Sequence, residues 1–211
     1  MDNLLQKIKD AVIAGKANDI EGLVREAVNA KADLNTVIND AMIAAMDVVG
    51  QRYSKNEIYV PEMLVSAVTM KRGLDILTPL LGDKKQKSAG KIVMGTVKGD
   101  IHDIGKNLVI MMLQGAGFDV IDLGVDLTAG KIVEEVKKHK PEILGLSALL
   151  TTTMPEVQIV IDALKEAGVR NNLKIMVGGA PVNEEWAMKV GADGYGADAG
   201  HAVEVARSLI K

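Results

Sequence analysis

No cysteine occurs among these 211 residues, which removes disulfides, iron–sulfur clusters, thiolate zinc sites and cysteine nucleophiles together. Aromatic residues make up only 2% of the chain against 48% hydrophobic content, so its core must be aliphatic, built from Ala, Val, Ile, Leu and Met. Basic charge is not in excess either. The 25 Lys and Arg face 28 Asp and Glu, a net charge of −3, and nucleic acid is not expected as a partner. No apolar run approaches the roughly 18 residues that span a bilayer. Met1 leads into a charged amphipathic segment rather than a basic region followed by an apolar one, so no signal peptide is expected. These absences point to a cytoplasmic protein of one large or two small domains, with no membrane partner.

What is present divides into two rhythms. Residues 1 to about 83 read as helices only. Leu4, Leu5, Ile8, Ala11 and Val12 recur at helical spacing until Gly15, and Ile20, Leu23, Val24, Ala27 and Val28 form a second stripe. Asp33 is placed to cap a third helix that carries Leu34, Val37, Ile38, Ala41, Met42, Ala45, Val48 and Val49. Pro61 sits where a first-turn proline belongs, ahead of a fourth stripe from Met63 to Leu81. Four amphipathic helices with short joints predict a small bundle. From Lys91 the pattern alternates. Short apolar runs at 91–97, 119–123, 143–147, 174–178 and, more weakly, 193–195 are separated by helix-period segments at 105–116, 129–139, 155–167 and 183–190, with a last one at 199–210. Strand–helix alternation predicts an α/β fold: a doubly wound parallel sheet of five strands in flavodoxin-like (Rossmann-like) order. The expected domains are a helical bundle at 1–83, a linker at 84–90 within a polar stretch, and an α/β domain at 91–211.

In such a sheet the loops that follow the strands open on one rim, where ligands bind. The first strand leads into Gly99-Asp100-Ile101-His102-Asp103-Ile104-Gly105, one imidazole flanked by carboxylates and bracketed by glycines. A metal-ligating histidine commonly donates its other ring N–H to a carboxylate, and Asp100 lies two residues away to receive it. Gly99 and Gly105 let backbone approach a large flat ring, while Asp103 can instead cap the next helix. The other loops hold Leu123-Gly124-Val125-Asp126, Ser147-Ala148-Leu149-Leu150-Thr151-Thr152-Thr153, Gly178-Gly179-Ala180-Pro181 and Gly194–Gly200. Small side chains dominate them. A pocket wide enough for a planar heterocycle requires Gly, Ala and Ser where an ordinary core places Leu or Phe. Taken alone, each element has a blander reading: a capping histidine, a glycine turn, or hydroxyls bonded to backbone. His139 in its lysine run reads as a solvated helix end, and His201 as exposed.

Three motifs in order carry a resemblance: D-x-H-x-x-G at Asp100, His102 and Gly105; S-x-L-x-T at Ser147, Leu149 and Thr151; and Gly178-Gly179. Residues 34–205 resemble the cobalamin-binding region of methionine synthase. In length and layout the chain is similar to the stand-alone corrinoid proteins of methanol, methylamine and glycine-betaine methyltransferase systems of methanogens and anaerobic bacteria. The resemblance implies cobalamin as cofactor and His102 as lower axial ligand of its cobalt, displacing the corrinoid's own base. Asp100 would hydrogen-bond His102, and Thr153 would extend that relay where the family often has serine. Asp103 and Gly105 would belong to the same loop, and Ser147, Leu149, Thr151, Gly178 and Gly179 would line a channel for the displaced nucleotide tail. Tyr53, Val60 and Met63 would sit above the corrin, where the family often has phenylalanine and leucine at the first two.

The function this implies is one-carbon metabolism without a catalytic residue of its own: a carrier that shuttles a methyl group. Its implied partners are a substrate-specific methyltransferase, a methyl-acceptor methyltransferase and a reductive activase. The alternative within the same chemistry is a cobalamin-dependent sensor, but those add a DNA-binding domain for which the chain has neither a basic helix nor spare length. A flavin carrier wants aromatics around its ring, and a phosphoacceptor receiver wants an aspartate where this chain has Ser147-Ala148-Leu149.

Overall fold

The computed structural model describes residues 2–81 and 88–210. Two compact units are distinguished, one of Met1–Ser88 with Gly115–Gly117 and one of Ala89–Gln114 with Phe118–Lys211. Most of the expected linker, residues 84–87, lies outside the described residues.

In the first unit, α1 (Asp2–Ile13) buries Ile8, Ala11 and Val12, and α2 (Ile20–Asn29) buries Ile20, Val24 and Ala27, the expected stripes. Between them Gly15 takes φ +64, which an L side chain resists. The Asp33 carboxylate accepts from Thr36 N–H at 2.9 Å and caps α3 (Leu34–Thr36). That helix runs on through a π-helical segment (Val37–Ile43) into α4 (Ala44–Ser54). The wider turn leaves Val37, Ile38, Ala41 and Met42 all buried. Pro61 lies in the first turn of α5 (Val60–Leu77), and the Glu62 carboxylate accepts from Tyr59 N–H at 3.1 Å. A 3₁₀ turn (Thr78–Leu81) follows.

The second unit alternates β1 (Lys91–Thr96), α6 (Ile104–Gly115), β2 (Asp119–Asp122), α7 (Ala129–His139), β3 (Ile143–Ser147), α8 (Met154–Glu166), β4 (Lys174–Gly178), α9 (Glu184–Val190), β5 (Gly194–Gly196) and α10 (Ala199–Ile210). The strands are parallel in the order β2-β1-β3-β4-β5, the flavodoxin-like arrangement expected. Its central strands β1, β3 and β4 read as continuous apolar runs because both faces are covered by helices. Buried Val93, Leu144, Leu146, Ile175 and Val177 pack with Val157, Val160, Ile161 and Leu164 of α8, and Trp186 of α9 packs against this core.

This order fixes where a site can form. The chain leaves β1 toward β2 on one side and returns to β3 on the other, so the loops after β1 and β3 diverge and leave a crevice at the strand ends. Thr96 pairs with Ser147 as the last register of β1 and β3. Both loops that carry the histidine and hydroxyl motifs start from this pair.

Candidate functional site

Asp100 is wholly buried, and both of its carboxylate oxygens are used. Oδ1 accepts from His102 backbone N–H at 3.0 Å and lies 2.7 Å from His102 Nδ1. Oδ2 accepts from Leu149 N–H at 2.7 Å and from Thr153 Oγ1 at 2.9 Å. One carboxylate thus ties the loop after β1 to the loop after β3 across the crevice. Burial alone raises its pKa, but the N–H groups of Leu149 and His102, the His102 ring and the Thr153 hydroxyl outweigh it and hold the carboxyl at about 2. An ionised carboxylate can only accept, so the proton in the short contact sits on Nδ1. In that tautomer Nε2 carries the lone pair.

The backbone of the loop is held from other directions as well. Thr96, buried at the end of β1, donates from Oγ1 to the His102 carbonyl at 3.0 Å. Asp126, in the loop after β2, accepts from Gly99 N–H at 2.7 Å through Oδ1 and donates its own N–H to the Asp100 carbonyl at 3.0 Å. The sequence assigns neither residue a role: Thr96 only closes the first apolar run, and Asp126 only ends the stretch that follows the second strand. A polar residue closing the apolar run 91–97 is the signal for Thr96, and the aspartate two residues past Gly124 is the weaker one for Asp126.

His102 itself is exposed, its side chain at 46%, and so are its neighbours Ile101 at 73% and Ile104 at 77%. Leu149 and Leu150 in the facing loop are exposed too. A soluble domain does not normally surround a solvent-facing imidazole with bare isoleucine unless something covers them. Gly105, in the first turn of α6, has open space where a Cβ would stand and no positive φ, so the protein's own packing does not demand glycine there. That open space leaves room for a broad flat ligand over the loop. Among the described residues no group of three His, Cys, Asp or Glu could hold a bare metal ion. A single imidazole with its tautomer fixed is instead the donor set for a metal already ringed by a macrocycle. The residues present therefore fit a corrinoid.

The remaining expected residues fall as follows. Asp103 is exposed, and its carbonyl accepts from Asn107 N–H at 2.8 Å as α6 begins. Ser147 ends β3 half-buried, its carbonyl accepting from Val97 N–H at 3.1 Å, and Thr151 is exposed. Gly178 ends β4 with its carbonyl on Ala148 N–H at 3.1 Å. Gly179 takes φ +132, and a Cβ there would stand 1.9 Å from the Ala148 carbonyl oxygen, so only glycine fits. This brings the S-x-L-x-T and Gly-Gly elements side by side at the strand ends. In the other unit, Tyr53 near the end of α4 and Val60 at the start of α5 are half-buried, and Met63 is fully buried. Two histidines differ from expectation. His139 lies 3.0 Å from the Glu135 carboxylate and is three-quarters covered, and His201 is half-buried, its Nδ1 accepting from Ala197 N–H at 3.3 Å.

Residues 90–204 match a B12 binding domain model, and residues 4–78 match a second B12 binding domain model. The chain is 40% identical to the trimethylamine corrinoid protein of Methanosarcina barkeri over 211 residues, covering 99% of this chain and 97% of that one. It is 40% identical to the dimethylamine corrinoid protein 1 of Methanosarcina acetivorans over 210 residues, covering 99% and 98%. Among solved structures it is similar to the methanol:cobalamin methyltransferase complex MtaBC from Methanosarcina barkeri, with a TM-score of 0.87 at 33% identity, covering 99% of this chain and 80% of that one. A cobalamin-binding protein from Desulfitobacterium hafniense gives a TM-score of 0.82 at 35% identity, covering 97% and 98%. With both units matched and relatives aligned end to end, the chain belongs to the B12-binding corrinoid proteins, and its cofactor is a corrinoid.

Proposed function

We propose that this protein is a methyl carrier that holds cobalamin base-off with His102 as the lower ligand, and passes a methyl group from a substrate-specific methyltransferase to a second one. The observation that carries this reading is the exposed imidazole whose Nδ1 is fixed 2.7 Å from a buried, ionised Asp100 amid uncovered isoleucines. When bound, the corrinoid supplies the chemistry, a cobalt ion that is a strong nucleophile in its reduced state. The chain's residues orient and regulate. Asp100 keeps the Nδ1 proton in place and so keeps Nε2 available as a donor, while Thr153 and Leu149 N–H keep Asp100 charged. Ile101 and Ile104 offer an apolar floor that excludes water from around the ring. Ser147, Leu149, Thr151, Gly178 and Gly179 receive the nucleotide tail, and Asp103 and Gly105 border the macrocycle.

The domain reading that goes with this is a cap at 1–83, a linker at 84–90 and a cofactor domain at 91–211. Among the described residues no helix is long and apolar enough to cross a membrane. A cytoplasmic location is part of the proposal. The related solved complex, by its name a methanol:cobalamin methyltransferase, supports a methyltransferase as partner. A methyl-acceptor methyltransferase and a reductive activase complete the proposed cycle.

The test is electron paramagnetic resonance of the protein reconstituted with cobalamin and reduced to cobalt(II). Splitting from one protein nitrogen is expected, changed by 15N-histidine labelling and lost in His102→Ala. A protein that ignores cobamides altogether, or a splitting untouched by the substitution, removes the reading.

A further inference from the structure

Lys106 is a buried charge that the reading above leaves without a task. It is the third residue of α6, its side chain is 1% exposed, and its Nζ pairs with Asp122 Oδ1 at the end of β2. The same Asp122 oxygen accepts from Gly124 N–H at 2.9 Å, so the pair grips the start of the loop after β2 as well. Removing an ammonium group from water is costly, and an apolar side chain of similar size holds a helix onto a sheet equally well. What an ion pair adds over apolar packing is a fixed direction between one point on the helix and one on the strand.

That point lies four residues from His102, in the turn where the histidine loop ends. The rest of the loop is already fastened. Thr96 holds the His102 carbonyl, Asp126 holds Gly99 and Asp100, and Asp100 reaches the loop after β3. Among the described residues the exit, from His102 into the first turn of α6, is the part of the loop whose other hydrogen bonds do not reach the loops on either side. Lys106 supplies that link, from the β2 side, opposite the hold that Thr153 exerts from the β3 side.

We propose that Lys106, through its ion pair with Asp122, is a positioning residue that sets the placement of the His102 ring. The inference rests on His102 being the ligand, and it goes beyond that reading by assigning a role to two residues that touch neither His102 nor Asp100 among the hydrogen bonds described.

Full-length wild-type protein, Lys106→Met, Asp122→Ala and Leu164→Ala test it. Met keeps the aliphatic stem and removes the charge, Ala breaks the pair from its half-exposed end, and Leu164→Ala destabilises the core of α8 without touching the loop. Each protein is read in three ways: thermal midpoint, 15N imidazole shifts of His102 without cofactor, and the histidine-nitrogen splitting with cobalt(II) cobalamin. Substituting a group hydrogen-bonded to a metal-ligating histidine commonly costs about 10–100-fold in affinity, and a pair that acts one step further out is expected at the lower end of that range. Lys106→Met and Asp122→Ala should lower the ratio of histidine-bound to histidine-free cofactor about tenfold and move the His102 shifts in the cofactor-free protein. Leu164→Ala should lower the midpoint and change neither signal. If Lys106→Met does not fold, Asp122→Ala carries the same measurement. Wild-type ratio and shifts in both variants overturn the inference, as does an equal fall in Leu164→Ala, which makes the effect one of stability alone. A wild-type protein without histidine splitting overturns the ligand reading and this inference with it.

Discussion

The helical unit and the α/β unit handle polarity in opposite ways. Among the described residues the first buries Ser66 and Thr69 as its polar side chains, both bonded to backbone carbonyls, in a core rich in methionine: Met42, Met46, Met63 and Met70. The second buries Thr96, Asp100, Lys106, Glu135 and Thr153, and all but Glu135 lie on or beside the histidine loop. Methionine fills irregular space and shifts easily. Buried charges with specific partners do not, because each displaced partner leaves an unsatisfied group in a poorly polarisable setting. The contrast separates a region that can adapt its packing from one whose geometry is fixed in advance, and the expected ligand lies in the fixed one.

The sharpest way to break this contrast is to add one methyl group to each unit. At Gly179 a Cβ meets the Ala148 carbonyl oxygen at 1.9 Å, with φ at +132, and neither backbone can yield without disrupting the strand ends. Gly179→Ala should cost more than about 4 kcal/mol, or prevent folding, as read by urea denaturation. At Gly73 in α5 the nearest atom is the terminal methyl of Met42, at 2.5 Å, the far end of a flexible chain. There Ala gains helix propensity of about 1 kcal/mol over Gly and Met42 can change rotamer, so Gly73→Ala should stay within about 1 kcal/mol of wild type. Equal costs at the two positions would erase the distinction.

A smaller effect sharpens the account of the fixed region. Asp100→Asn preserves shape but turns one of two accepting oxygens into a donor, which then faces either the His102 pair or the Leu149–Thr153 pair. Opposed donors in a buried site should cost about 2 kcal/mol. In the cofactor-free protein the His102 tautomer should shift, seen in its 15N imidazole shifts. With cobalamin bound, the substitution should weaken histidine ligation more than it weakens total cofactor retention, because the residues proposed to hold the tail are unchanged. Equal loss of both would contradict that division of roles.

Much of this was legible in the chain itself. The strands lie within a residue or two of their apolar runs, because a parallel sheet covered on both faces writes itself as short unbroken stretches of Val, Ile, Leu and Met. The Asp100–His102 contact follows from a two-residue spacing in one loop. What stayed hidden depends on neighbours far apart in sequence. Leu149 is expected from its motif to line the tail channel, yet its backbone N–H is what reaches Asp100, 49 residues away. Asp126 and Lys106 join the loop only because β2 lies beside β1. The π-helical segment at Val37–Ile43 has the same apolar stripe as an ordinary helix, so periodicity could not announce it.

The smallest expected effect concerns the buried polar side chain of the α/β unit that, among the described residues, lies away from the rim. Glu135 on α7 is ringed by Lys131 at 2.9 Å, Lys138 at 3.1 Å and His139 at 3.0 Å. Hydrogen bonds from Lys131 and Lys138 lower its pKa from 4.5 to about 2 against the opposing effect of burial. A carboxyl whose pKa is depressed by folding stabilises the native state fully above its unfolded value and loses that contribution as pH falls through the folded one. The difference in thermal midpoint between wild type and Glu135→Gln should therefore be constant above pH about 5 and shrink between pH about 4.5 and about 2. High salt should reduce it, since these ion pairs lie on the outer face of a helix with their lysine partners in water. The histidine loop should be indifferent to the change, its 15N shifts unaltered at every pH where the protein is folded. A response there would mean that buried charge in this sheet acts as one network rather than as a rim site with a separate surface cluster.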